Sequence, residues 1–213
     1  MRYAALLISL LFLAVVVPLF EGTGFDTAVT DLVSIAILVS GVWAASHRAR
    51  DVAILAMLAI LMTTRWLPFS GQRGIALLSG IAGALFFVYV AGIILADLMA
   101  ARRVTIDTIG GAACGYLMIG LAFGSLYFVI ELLHPGAFNL AESARSSFRA
   151  MNAGYLHLAY YSIVTLTTVG YGDINAKIPI AENLSAIEAM IGQFYIAVLV
   201  ARLVSIQILQ RGE

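Results

Sequence analysis

Charge is what this sequence has least of. Asp, Glu, Lys and Arg make up 11 % of its 213 residues, apolar side chains make up 62 %, and the mean hydropathy is +1.00. Ordinary chains carry about a quarter charged residues, so this one lacks the polar surface to cover a globule in water. A soluble domain is excluded. Net charge is absent as well: 12 basic residues balance 12 acidic ones, which argues against nucleic acid or another polyanion as partner. Cysteine is nearly missing. Cys114 is alone, closes no internal disulfide and sits within an apolar run, so it reads as a packing residue. The first apolar run follows Arg2 but lacks an A-x-A-like cleavage site; Val17, Pro18, Leu19 and Phe20 suit a span rather than a signal peptide.

What is present is a series of apolar runs: Tyr3 to Phe20, Leu32 to Ser46, Val52 to Phe69, Ile75 to Met99, Ile106 to Leu133 and Leu184 to Leu209. A bilayer crossing takes about 20 such residues. Backbone polar groups in lipid must be satisfied internally, and these runs lack the alternation of a barrel strand, so they are expected to be helices. With the amino terminus placed inside, Arg2, Arg48, Arg50, Arg102, Arg103, Arg202 and Arg211 face the cytoplasm. Arg65, Arg73, Arg145, Arg149 and Lys177 lie outside. The bias has the positive-inside sign, and eight of the 12 acids fall outside. The expectation is a multi-pass integral protein of a bacterial-type inner (plasma) membrane, with both termini cytoplasmic.

The stretch from Leu133 to Glu182 breaks the rhythm. It contains a second apolar stretch, Tyr155 to Leu166, with Asn152 as a plausible helix start. That stretch is too short to cross and reads as re-entrant, which membranes tolerate only where protein or a water-filled cavity surrounds the segment. It leads into Thr168-Val169-Gly170-Tyr171-Gly172-Asp173. Six fixed positions recur by chance at roughly one in ten million sites. A dehydrated cation needs oxygen ligands, and a backbone that aims successive carbonyls to one side must alternate conformations that L-residues resist. Gly170 and Gly172 take positive φ at no steric cost. Thr168 adds a hydroxyl at the inner mouth, and Val169 and Tyr171 point away into packing. One strand cannot replace an ion's water shell whereas four around an axis can, so a symmetric tetramer is required. The partial negative charge at the end of the preceding helix favours a cation there.

This hexapeptide and its setting, from about Asp107 to Ser205, resemble the selectivity filter and pore of potassium channels of the six-transmembrane tetrameric type. The resemblance implies an all-α membrane protein. Six transmembrane helices carry a re-entrant pore helix and filter loop between the fifth and sixth, and four chains assemble. Residues 1–104 would form a sensor-like four-helix domain. Residues 105–213 would form the pore domain, with outer helix 106–133, pore helix 153–167, filter 168–173 and inner helix 182–209. Potassium would be the permeant ion, bound at Thr168, Val169, Gly170 and Tyr171 with Gly172 completing the filter, and no cofactor is implied. Asp173 would anchor the outer filter mouth, supported by Tyr160, Tyr161 and Val164. Gly192 would take the place of the inner-helix hinge, its alternative being close helix approach. Gln193, Ile196, Val200 and Val204 would line the cavity and its inner mouth, and an amide in mid-span suits a wet face.

Departures from the family pattern matter too. Tyr160 and Tyr161 stand where many relatives have two tryptophans, which keeps an aromatic cuff but alters its hydrogen bonding. Val164 stands where some bacterial relatives place a glutamate that pairs with the aspartate, so slow inactivation through that pair is not expected. His157 reads as a packing histidine rather than a pH sensor. Glu188, in mid-span, must pair, protonate or face water, and could brace the pore helix or sense pH. Gly111 with Gly115 and Gly120 with Gly124 form G-x-x-x-G pairs, read as packing.

The fourth span should hold a voltage sensor, yet no Lys or Arg lies between Arg73 and Arg102. Each charge moved through the field is worth about 2.3 kcal/mol per 100 mV, so steep voltage gating is rejected. Only four residues follow Leu209, and gating is expected from lipid, pH, ions, tension or a separate regulatory subunit. The leading reading is a potassium-selective channel. Its alternatives are a weakly selective cation channel, which the intact filter disfavours, and a potassium-translocating subunit of a larger transporter. An enzyme is not expected: Ser125, His134 and Cys114 form no base-and-nucleophile arrangement, and nothing resembles a metal-ligating cluster.

Overall fold

The apolar runs form helices because, without water, only the i to i−4 ladder satisfies the backbone. The computed structural model describes residues 3–20, 26–44, 49–63, 73–140 and 153–211. Its elements are α1 (Ala4–Val15), a 3₁₀ turn (Val17–Phe20), α2 (Asp26–Ala44), α3 (Ala49–Thr63), α4 (Arg73–Ala100), α5 (Ile106–Leu133), α6 (Ala153–Leu166) and α7 (Pro179–Arg211). Among the described residues three helices are long and apolar enough to cross a membrane: Arg73–Ala100, Ile106–Leu133 and Pro179–Ile208. The apolar parts of the first three, Ala4–Val15, Val29–Ala44 and Asp51–Met62, are shorter. The first run is divided where Pro18, which has no N–H to give a helix ladder, sits inside the 3₁₀ turn.

Helix ends follow local chemistry. Thr105 and Thr108 form a reciprocal box at the start of α5. The Thr108 N–H donates to Thr105 Oγ1 at 3.2 Å and the Thr105 N–H to Thr108 Oγ1 at 3.3 Å, which satisfies two amides of the first turn. Helix α7 begins at Pro179, earlier than the expected inner-helix start at 182. Proline fits a first helical position because its missing N–H would be unpaired there anyway, and the Ile178 carbonyl accepts the N–H groups of Ala181 and Glu182, each at 3.0 Å. Helix α6 ends at Leu166, one residue before the expected 167. Asn152, its expected start, lies outside the described residues, as do Arg2, Arg48, Arg65, Arg145, Arg149, Glu21 and Glu142 of the charge count.

The chain divides into two compact units. One comprises residues 1–56, 89–118 and 199–213. In it Tyr3 ties the amino-terminal end to two helices: its phenol donates to Asp97 at 2.7 Å, its N–H donates to Asp107 at 3.2 Å, and its ring lies against the backbone of Gly111. Helices α1 and α2 pack together, with the Ser9 and Ser40 hydroxyls 3.2 Å apart. The Arg202 guanidinium donates to the carbonyls of Leu98, Met99 and Ala101. It thus places a cation on the unsatisfied, partially negative end of α4.

The other unit comprises residues 57–88 and 119–198. Its core is a trio of edge-to-face rings, Tyr127, Phe138 and Tyr161, with centroids 5.2–5.3 Å apart, a geometry aromatic quadrupoles favour. Phe138 also bridges to Ala176 in antiparallel fashion, flanked by Asn139 N–H to Asn175 carbonyl at 2.7 Å and Lys177 N–H to Ala137 carbonyl at 2.8 Å. The segment after α5 thereby holds the segment that precedes α7. Gly124 and Gly120 let α5 approach α6 at backbone distance. A Cβ on Gly124 would stand 2.8 Å from Ala159 Cα, and one on Gly120 would stand 3.3 Å from Ile163. This is the packing use of small residues in apolar helix pairs.

Candidate functional site

Helix α6 positions the 168–173 loop by lending it the carbonyls its own last turn leaves unpaired. Thr167 N–H donates to Ile163 at 3.0 Å and Thr168 N–H to Thr165 at 2.9 Å. The Val164 carbonyl accepts from Val169 at 3.0 Å and Gly170 at 3.4 Å. The chain therefore leaves the helix along a tethered path. Over the next residues φ changes sign at every step: +59° at Thr168, +59° at Gly170 and +81° at Gly172, with Val169 and Tyr171 negative. Gly170 and Gly172 sit where sequence reasoning asked for positive φ. Thr168 was not foreseen there, since a β-branched residue with positive φ is an outlier.

The outer end is fixed by side chains. Asn175 Nδ2 donates to the Gly172 carbonyl at 2.7 Å, and the Tyr160 phenol lies within the electrostatic reach of the Asp173 carboxylate. Asn175 is a further participant that sequence reasoning missed; an amide two residues beyond the hexapeptide was its only signal. Tyr161, by contrast, is buried in the aromatic trio, with its hydroxyl 2.8 Å from Ser185 Oγ on α7. The two adjacent tyrosines thus serve different neighbours. Val164 is buried and supplies the carbonyl described above. Val169 and Tyr171 are exposed, as are Thr168, Gly170, Gly172 and Asp173.

Helix α7 meets the inner end of the loop. It runs unbroken through Gly192, which is buried against the Leu166 carbonyl so closely that an added Cβ would collide with it. The next residue, Gln193, donates from Nε2 to Thr168 Oγ1 at 3.3 Å. Ile196, Val200 and Val204 follow on α7 with exposed side chains. One turn before Gly192, Glu188 is fully buried. The Tyr127 phenol donates to its Oε2 at 2.5 Å, and Ser162 Oγ is bonded to its Oε1. Glu188 thus joins α5, α6 and α7, a role an acid in mid-span hinted at without naming its partners.

Among the described residues no cluster of His, Cys, Asp or Glu could hold a metal ion. The oxygen-rich feature is the 168–172 backbone itself. Comparison with known proteins agrees in kind: residues 115–207 match the model of a family described as ion channel. Comparison with curated proteins and with solved structures gives no match. The matched residues run from within α5 through α6, the loop and most of α7. This supports an ion channel family and, with the three long apolar helices, an integral membrane protein that conducts ions passively.

Proposed function

We propose that this chain is one subunit of a tetrameric potassium-selective channel, with six membrane-crossing helices and a re-entrant pore helix. The observation that carries the proposal is the TVGYGD run held on a backbone whose φ alternates in sign from Thr168 to Gly172. A strand points successive carbonyls to opposite sides. A backbone alternating between right- and left-handed conformations turns them to the same side, and that is what a dehydrated cation requires. Four such loops around an axis offer rings of oxygens from Thr168, Val169, Gly170 and Tyr171 in place of the water shell. Because the ion is held at several equivalent rings, it enters and leaves without a deep trap.

The surrounding parts fit that task. The carboxyl-terminal end of α6 faces the inner end of the loop, and its partial negative charge favours a cation. The Asn175–Gly172 bond braces the outer end, beside the neighbouring Tyr160 and Asp173. The exposed apolar residues of α7, among them Ile196, Val200 and Val204, suit the lining and contact surfaces of a helix that meets other copies around a cavity. Helix α4 offers no row of cations, so conduction is not steeply voltage-dependent. The subunit lies in a bacterial-type inner membrane with both termini cytoplasmic, the side that receives seven of the 12 basic residues.

Potassium flux from the purified chain in liposomes tests the reading. The wild type conducts, whereas Gly170→Asp and Tyr171→Ala lose flux or lose preference for potassium over sodium. A silent wild type, or variants with unchanged selectivity, would sink it.

A further inference from the structure

The connection between Glu188 and the pore helix contains more oxygens than an ionised acid can satisfy. Ser162 has one hydroxyl proton. Its Oγ lies 2.6 Å from the Gly120 carbonyl oxygen of α5 and also bonds Glu188 Oε1 of α7. A carbonyl oxygen has no proton to give, so the serine proton occupies the Ser162–Gly120 contact. The Ser162–Glu188 contact then needs a proton from the other side. The second carboxyl oxygen is already served, because the Tyr127 phenol donates to Oε2. Neighbouring hydroxyls supply no spare proton either: Tyr161 donates to Ser185, and Ser185 donates to the Ala181 carbonyl at 2.8 Å. No basic side chain pairs with Glu188 among the described residues. A buried carboxylate without a cation to pair with is strongly disfavoured against its neutral form.

We infer that Glu188 is held as a neutral carboxylic acid and that, in this form, it is the positioning residue that sets the pore helix against its two neighbours. Every proton is then used once: Tyr127 donates to Glu188, Glu188 donates to Ser162, and Ser162 donates to Gly120. Helices α5, α6 and α7 are joined by one directional chain. Ser162 lies one turn above Leu166 on α6, and Glu188 lies one turn above Gly192 on α7, so the Glu188–Ser162 contact stacks directly over the Gly192–Leu166 contact. Together the two contacts fix the height of the Val164 carbonyl between them, which receives the first filter amides. The consequence for conduction rests on the channel reading above; the protonation state does not.

Two measurements on the full chain in liposomes separate these parts. The first is the infrared difference spectrum of wild type minus Glu188→Gln at pH 7, in which the carbonyl stretch of a protonated carboxylic acid is expected. Its absence overturns the inference, whether or not the protein conducts. The second is potassium flux. Gln offers one acceptor to Tyr127 and one donor to Ser162, as the neutral acid does, so Glu188→Gln conducts like wild type. Glu188→Ala leaves the buried hydroxyls unserved and lowers flux about tenfold or more. Ser162→Ala, which breaks the chain from the pore-helix side, lowers it similarly should Glu188→Ala fail to assemble. An ionised Glu188 would give the opposite pattern, because Gln would then turn a donor toward a donor. Glu188→Gln as impaired as Glu188→Ala, or normal flux in assembled Glu188→Ala or Ser162→Ala, contradicts the positioning role. A wild type that conducts nothing while showing the infrared band fails the channel reading alone.

Discussion

Thr168 shows how much one residue is made to bear. It takes a conformation that costs an L-residue about 1–2 kcal/mol, and the last turn of α6 imposes it by claiming its N–H and those of the two residues that follow. Its hydroxyl accepts from Gln193. Thr168→Ser should therefore conserve flux, whereas Thr168→Ala, which loses the acceptor, should weaken potassium retention at the inner end. Gly170→Ala and Gly172→Ala each place a Cβ where φ is positive and should destabilise the loop by about 1–2 kcal/mol per subunit, read as a lower melting temperature of the assembled protein together with lost flux. The glycine positions were legible in the sequence, because glycine is the residue that accepts positive φ freely. The strain at Thr168 was not, because it arises from the helix end before it rather than from threonine's own preference. The tyrosine pair separates in a similar way. Tyr161→Phe removes a part-buried bond to Ser185 and should cost about 0.5–1.5 kcal/mol. Tyr160→Phe leaves the core intact and should act at the outer end of the loop, where the phenol faces Asp173.

At the scale of elements, hydropathy located α4, α5 and most of α7 to within a few residues, since a run long enough to cross lipid leaves little choice of structure. It misplaced the ends that cap chemistry decides. The start of α7 at Pro179 depends on Ile178 and a proline at the first helical position, features that an apolar average passes over. The division of the first run at Pro18 is another such case. Helix contacts were partly legible: Gly120 and Gly124 announced a close neighbour, though not that the neighbour is α6. Gly192 allowed two readings in the sequence. In the structure its absent side chain makes room for the Leu166 carbonyl, so Gly192→Ala should push α7 from α6, with a loss of about 1–3 kcal/mol. Thermal unfolding in detergent checks the stability change, and liposome flux checks whether the 168–173 loop moves with it. Gly124→Val, which would meet Ala159 at backbone distance, should act on the opposite side of α6 to the same effect.

For the whole molecule, the scarcity of charge is a statement about gating as well as solubility. With Arg73 at one end of α4 and no Lys or Arg from there to Arg102, conductance should change little with voltage in planar bilayers. A steep curve requiring several gating charges would mean that another element carries them. Native mass measurement should give four chains per particle, because one loop cannot surround an ion. The most direct test of the central claim is the reversal potential of the purified wild-type chain in a bilayer with potassium on one side and sodium on the other. A potassium-selective pore gives a reversal potential displaced strongly toward the potassium equilibrium potential. A reversal potential near zero, showing that sodium passes as freely as potassium, would contradict it.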